Sequence, residues 1–373
     1  MSTDDLPQPD RVEGAPHPRE TAQLLGQSEA EQTFLQAYAS DRLHHGWLIA
    51  GPRGVGKATL AWRIARFLLA TPLIEDDGLF GAPPPPTTLD IDPEHPVARR
   101  MMAGAEPGLF ALRRPYDEKT KRLKTQITVE EVRKLKGFFS LSAAEGGRRV
   151  VIVDTTDEMN PNAANAILKL LEEPPARSTL LLISHQPSRL LPTIRSRCRM
   201  LRLAPLGAED MAAALAAADC TPDPAQARAL AELSGGSVGE AIRINNLDGL
   251  RLYSALIDTL GTLPNLDRPR ALALAEMTAG RGKEAQFDLL LGLIDVALAR
   301  LARTGVTGHP PQVQAAPHES TVMARLAPNP QLGRKWAELA QSSGDKLRHG
   351  QAVNVDPASL IFDVLKAFSQ ATA

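Results

Sequence analysis

The sequence predicts a three-layer α/β domain built on a mostly parallel sheet, followed by a region made only of helices. Three observations predict it. Short apolar runs at Trp47–Ala50, Arg149–Asp154 and Thr179–Ser184 read as strands buried on both faces. Helix-like stretches alternate with these runs, the pattern of a parallel sheet covered on both sides. After Pro205 the strands stop, while helical periodicity continues to the end of the chain.

Composition sets the outer limits. At about 100–200 residues per domain, 373 residues suggest two or three domains. The balance of 42 Lys+Arg against 43 Asp+Glu leaves a net charge of −1, with 43% hydrophobic and 23% charged residues, as in ordinary globular chains. This excludes a basic protein that coats nucleic acid by itself and an acidic disordered chain. Two cysteines, Cys198 and Cys220, cannot make a disulfide framework or a four-thiolate zinc site. No run approaches the ~18 apolar residues of a membrane span. Residues 1–18 are acidic and Pro-rich rather than a basic leader, so a cytoplasmic protein with no membrane partner is expected.

In chain order, residues 1–18 read as a flexible arm. Helical spacing begins near Glu20, with Leu24, Leu25, Phe34, Leu35 and Tyr38. The run Trp47–Ala50 ends in a glycine-rich turn, Gly51–Gly56, and a helix follows with Leu60, Ile64, Phe67 and Leu68 on one face. Residues 72–125 contain Pro83–Pro86 and the polar run Tyr116–Gln126, and read as a surface insertion. Within it, Lys119, Lys121, Arg122 and Lys124 read as a solvated loop ahead of a phosphate contact. A helix is expected over Ile127–Phe139. Asn160 then caps a helix whose first residue is Pro161, a favoured N1 residue because its missing N–H is not needed there. Ala164, Ile167, Leu168 and Leu171 form its apolar stripe, and Pro174–Pro175 stop it. A short helix ends near Arg197, and Met200–Leu203 marks a last strand. Beyond it, residues 208–218 and 224–234 read as Ala-rich helices, and Asp356-Pro357 as another cap with an N1 proline.

Three constellations carry chemistry. Gly51-Pro-Arg-Gly-Val-Gly-Lys57-Ala58-Thr59 lies between a strand and a helix N-terminus. There Gly51, Gly54 and Gly56 allow backbone N–H groups to cradle a phosphate, helped by the helix dipole and by the charge on Lys57. The pattern wants a hydroxyl after the lysine to hold Mg²⁺; Ala58 has none, and Thr59 stands about 100° further round the helix. A Gly-rich helix entry without nucleotide competes with this reading. Asp154 ends a buried strand, the place of a carboxylate that orients Mg²⁺. Thr155 follows it and cannot accept a proton at neutral pH; Asp157 and Glu158 read as solvated residues. Ser196-Arg197-Cys198 places an arginine at a helix end, either as a surface residue or as a finger projecting into a neighbour's phosphate site.

Together Gly51–Lys57, Asn165-Ala-Ile-Leu-Lys-Leu-Leu-Glu-Glu-Pro-Pro175 and Ile194-Arg-Ser-Arg-Cys198 resemble the clamp-loader branch of the AAA+ family, over residues 20–245. The resemblance implies a RecA-like AAA+ P-loop domain over 19–205, a small helical lid over 206–248 and an all-α collar for oligomerisation over 249–373. It implies a ring of five subunits, in which motor subunits use ATP to open a sliding clamp and load it on primed DNA. It also implies an arginine after Gly236-Ser237-Val238, where this chain has Gly239, and in many relatives a four-cysteine zinc module, whose cysteines are missing here. With Ala58, Thr155 and Gly239 lost and Arg197 kept, the expectation is a non-hydrolysing stator with degenerate Walker motifs. Such a subunit supplies Arg197, framed by Ser196 and Cys198, in trans to a neighbouring ATPase. No metal, zinc or obligatory cofactor is expected, though ATP or ADP could occupy the degenerate loop through Gly51, Gly54, Gly56, Lys57, Thr59 and Asp154. The expected partners are the motor and delta subunits of the ring, with clamp and primer-template DNA met through the assembly. The alternative is an ATP-hydrolysing motor subunit or another P-loop ATPase. A sequence-specific DNA binder has no support, since there is no reading helix and no basic excess.

Overall fold

Parallel strands need crossovers, and the alternation of apolar runs with helices supplies them. A computed structural model describes residues 8–12, 14–40, 43–71, 84–141, 147–280, 282–352 and 355–372. Helix α1 (Ser28–Ala39) precedes strand β1 (Gly46–Ala50) and helix α2 (Lys57–Ala70). Then come α3 (Pro96–Met102), β2 (Leu109–Arg113) and a small hairpin of β3 (Tyr116–Asp117) and β4 (Arg122–Leu123). Helix α4 (Val129–Leu141), β5 (Arg149–Asp154), α5 (Pro161–Glu172), β6 (Ser178–Ser184), the short α6 (Pro192–Arg195) and β7 (Arg199–Arg202) complete the α/β part. The main sheet runs β2-β5-β6-β1-β7 with every pairing parallel.

Side chains alternate across this sheet, as the two-residue period of a strand requires. Trp47, Ile49, Ile152, Leu181 and Ile183 join Phe34, Leu60 and Ile64 in one core; Leu48, Val151, Leu180 and Leu182 join Ile167, Leu171 and Ile194 in another. Both faces are therefore dry, which is why the central strands read as unbroken apolar runs. The carboxyl ends of β1, β5 and β6 lie side by side. The chain leaves β1 for the far edge and later returns to its other side, and ligands bind outside such a reversal of strand order.

Three expectations change. The segment 72–125 is not simply a surface insertion: within its described part, β2 pairs in register with β5 as an edge strand of the main sheet. Its polar surroundings hid it, because an edge strand needs apolar residues on fewer sides. Residues 8–12 and 14–18 of the supposed flexible arm are packed: Asp10 and His17 are buried, and His17 stands edge-on to Trp62 with ring centroids 5.5 Å apart. The first helix begins at Ser28 rather than Glu20, and Leu24 instead packs beside the glycine turn. Residues 1–7 and 72–83, parts of the arm and of the insertion, lie outside the described residues. The α/β class and the helical remainder are both found as expected.

The chain divides into two compact units, Met1–Asp219 with Ser237–Gly239, and Cys220–Gly236 with Glu240–Ala373. Helix α7 (Ala208–Ala217) belongs to the first. The second holds α8 (Pro224–Ser234), most of α9 (Val238–Asn246), α10 (Gly249–Leu260), α11 (Arg268–Thr278), α12 (Glu284–Thr307), α13 (Glu319–Leu326), α14 (Pro330–Ala352) and α15 (Pro357–Thr372). Asp223 and Gln226 close a capping box on α8, satisfying amides that a helix start leaves unpaired. Glu319, fully buried, accepts from Tyr253 Oη at 2.5 Å and from the Ala315 amide at 2.7 Å, and lies 3.0 Å from Arg300 Nε. That pairing is what makes a carboxylate tolerable there. Among the described residues no helix is long and apolar enough to cross a membrane.

Candidate functional site

The glycine turn opens α2 at the carboxyl end of β1. Gly56, the residue before the helix, has φ 99°, and Gly54 has φ 76°, both in the left-handed region. Gly54 is also wedged in place. A Cβ there would strike Ser237 Oγ and lie 3.2 Å from the Gly239 backbone, and the Gly239 amide donates to Gly54 O at 3.0 Å. Val12 closes over the same spot, 3.4 Å from where a Gly239 Cβ would stand. Lys57 is buried, and its Nζ donates to Pro52 O within its own loop. Burial pulls the Lys57 ammonium down to about 8, against the pull of Asp154 and Asp157. Ala58 packs on the core and offers no hydroxyl, and Thr59 is half-buried one step further round α2.

Asp154 ends β5 opposite Arg113 of β2. Burial pushes its carboxyl up to about 7, reinforced by the charges of Asp10 and Glu158 and opposed by Lys57 and Arg113. Asp10 comes from the N-terminal segment and lies 2.8 Å from Arg113 Nη1 and 3.2 Å from His17 Nε2. Burial works against the charge on Asp10, but these partners outweigh it and hold the carboxyl below its usual range. Asp157 and Glu158 are engaged rather than solvated. Asp157 accepts from Ser184 Oγ at 2.8 Å and from the His185 amide at 2.5 Å, tying β5 to the end of β6, while Glu158 pairs with Arg114 at 2.7 Å. Burial drives His185 down to about 4, with Lys57 adding to the effect.

The sequence reading missed Ser184, His185, Asp157 and Asp10. For the first two a signal existed: they end the strand beside β1, where a reversal of strand order puts ligands. For Asp10 there was none, because its partner Arg113 stands in the strand that polarity concealed. Three buried atoms nearby, Thr155 Oγ1, Thr156 Oγ1 and His185 Nδ1, have no hydrogen-bond partner. Together with the helix N-terminus and Lys57 they suit an anion. The same residues give no hydroxyl for a cation at position 58 and no base at position 155. The cradle fits a phosphate better than it fits hydrolysis.

Arg197 lies at the opposite end of β1. A Cβ on Gly46, the first residue of that strand, would stand 3.1 Å from Arg197 O, 3.4 Å from Cys198 Sγ and 2.8 Å from Leu171 Cδ2. Cys198 points inward, and burial pushes its thiol up to about 12, so it anchors rather than reacts. Ser196 donates its hydroxyl to Thr193 O at 3.1 Å, fixing the turn. Arg197 points outward: Nη1 donates to Thr193 O at 3.0 Å and Nη2 lies 2.9 Å from Glu172 Oε1. The structure thus brings Gly51, Gly54, Gly56, Lys57, Asp154, Thr155 and Gly239 together and leaves Ser196–Cys198 apart.

Comparison with known proteins finds relatives of the α/β part that carries both sites. The family described as DNA polymerase III, delta subunit, matches residues 26–207. The chain is 39% identical over 214 residues to DNA polymerase III subunit delta' of Pseudomonas aeruginosa, covering 57% of this chain and 59% of that one. To subunit delta' of Bacillus subtilis it is 33% identical, covering 56% of each. To that of Escherichia coli it is 29% identical, covering 61% of this chain and 63% of that one. The matches span about three fifths of the length of these relatives. Across residues 26–207, this chain is similar to the family described as DNA polymerase III, delta subunit, and to the delta' subunits over about three fifths of their length.

Proposed function

We propose that this chain is a non-hydrolysing stator of the replicative clamp loader, turning over no ATP itself and completing a neighbour's ATP site with Arg197. One observation carries the reading: the cradle and Arg197 stand at opposite ends of the five-residue strand β1. At about 3.3 Å per residue those ends are roughly 13 Å apart. A guanidinium at one end cannot serve a phosphate at the other, so any phosphate Arg197 meets belongs to a neighbour. There its fixed fork of N–H donors stabilises the charge that spreads over a transferring phosphoryl group.

At the cradle, Ala58, Thr155 and Gly239 support the absence of turnover. Gly239 packs against Gly54 where the resemblance implies an arginine. Nucleotide would be held by the amides around Gly51, Gly54 and Gly56, by Lys57, and by the unpaired Thr155 and His185, with Thr59 and Asp154 nearby. This is binding without chemistry, and the protein's work requires no cofactor and no zinc. Motor and delta subunits complete a five-membered ring, which meets the sliding clamp and primer-template DNA. Steady-state ATP hydrolysis by the purified chain is the test: none above background is expected, and sustained turnover abolished by Lys57→Ala would overturn the reading in favour of a motor subunit.

A further inference from the structure

We propose that Glu172 is a positioning residue for Arg197: it holds the guanidinium outward in the geometry a neighbour's phosphate needs. This rests on the reading of Arg197 as a trans finger. Glu172 is the last residue of α5, whose start is fixed by Asn160 and Pro161 and whose continuation is barred by Pro174–Pro175. Its backbone is pinned next door, where Leu171 O lies 2.9 Å from His45 Nε2, at the entry to β1. On the other side Cys198 is half-buried against the core beneath the turn, while the Arg197 side chain is directed outward. Gly46 lets the two segments meet, since any side chain there would press on both Leu171 and Arg197.

Three segments are thus locked together, and Glu172 and Arg197 face each other across the seam. Both side chains are about two-fifths exposed, at 43% and 37%. An ion pair so exposed contributes little to stability. It does select one conformation from the many open to a long side chain. A guanidinium carries five N–H donors; Glu172 and Thr193 O engage one each, on different nitrogens, leaving the others for an incoming phosphate. Glu172 therefore orients the fork without exhausting it.

The test uses the reconstituted complex with its motor subunits. Glu172→Ala is expected to lower kcat for ATP about tenfold, the order of a coupling between contacting residues, with KM and the unfolding midpoint of the chain unchanged. Glu172→Gln should recover part of the loss, because its amide oxygen still accepts from Nη2. In an Arg197→Ala background, Glu172→Ala should have no further effect. An undiminished kcat in Glu172→Ala, or an equal loss in the Arg197→Ala background, overturns the proposal while the finger stands. If Arg197→Ala itself leaves kcat unchanged, the finger reading fails and this one with it.

Discussion

The two ends of β1 have been treated oppositely. At the carboxyl end, polar groups turn on one another: Lys57 donates to its own loop, Gly239 donates to Gly54, and Asp154 sits among Asp10, Glu158 and Arg113. At the amino end, Leu171 is buried and Cys198 half-buried against the core, while Arg197 and Glu172 stay in water. A glycine makes each end possible, but Gly54 admits backbone from within the domain, while Gly46 admits the base of an outward-facing arginine. The same fold thus turns the polar groups of one end inward and presents those of the other.

The contrast breaks most directly at Arg197. Arg197→Ala should lower ATP turnover at the neighbouring site it serves by at least tenfold, since arginine fingers contribute about 10³–10⁵ in rate. Single-turnover ATPase of the reconstituted complex, with complex formation checked by gel filtration, reads this. Next in size is Gly54→Ala, which forces a side chain into φ 76° and into Ser237 and Gly239. It should cost about 1–3 kcal/mol in urea unfolding while leaving Arg197-dependent activation intact.

The third prediction sharpens the comparison by pH. Asp154 has a folded pKa of about 7, above its unfolded 3.8, so the native state binds the extra proton and stability falls as pH rises from about 4 to 7. Asp154→Asn removes that cost. The variant should be more stable than the parent by about 4 kcal/mol at pH 8, with the gain shrinking towards pH 4. Urea unfolding at pH 5 and pH 8 measures it, and equal gains at both would show that the Asp154 carboxyl is not raised in the folded chain.

Much of the fold was legible because its strands are buried on both faces and its helices carry their own punctuation. Asn160 accepts from the Ala163 amide at 2.9 Å, and Asp356 from the Ser359 amide at 2.9 Å, as the two cap-and-proline pairs announced. Strand β2 was not legible: Leu109–Arg113 is partly exposed and stands among polar residues. The glycine spacing of the cradle could be read from nine consecutive residues. Its packing could not, because Ser237 and Gly239 reach Gly54 from far away along the chain, and no local pattern records such a meeting. Asp157 was misjudged for a similar reason. A carboxylate just past a strand looks solvated until the neighbouring strand brings Ser184 and His185 to it.

The placement of Arg197 and the cradle at opposite ends of one strand gives the protomer a direction. Contacts between a donor end and an acceptor end are heterologous, so copies and relatives that use them line up head to tail rather than about a twofold axis. Such a row closes into a ring when the rotation between members allows it. On the proposed reading, a member with an exposed Arg197 and a cradle that binds without turnover sets, by its own asymmetry, the order in which its neighbours are arranged.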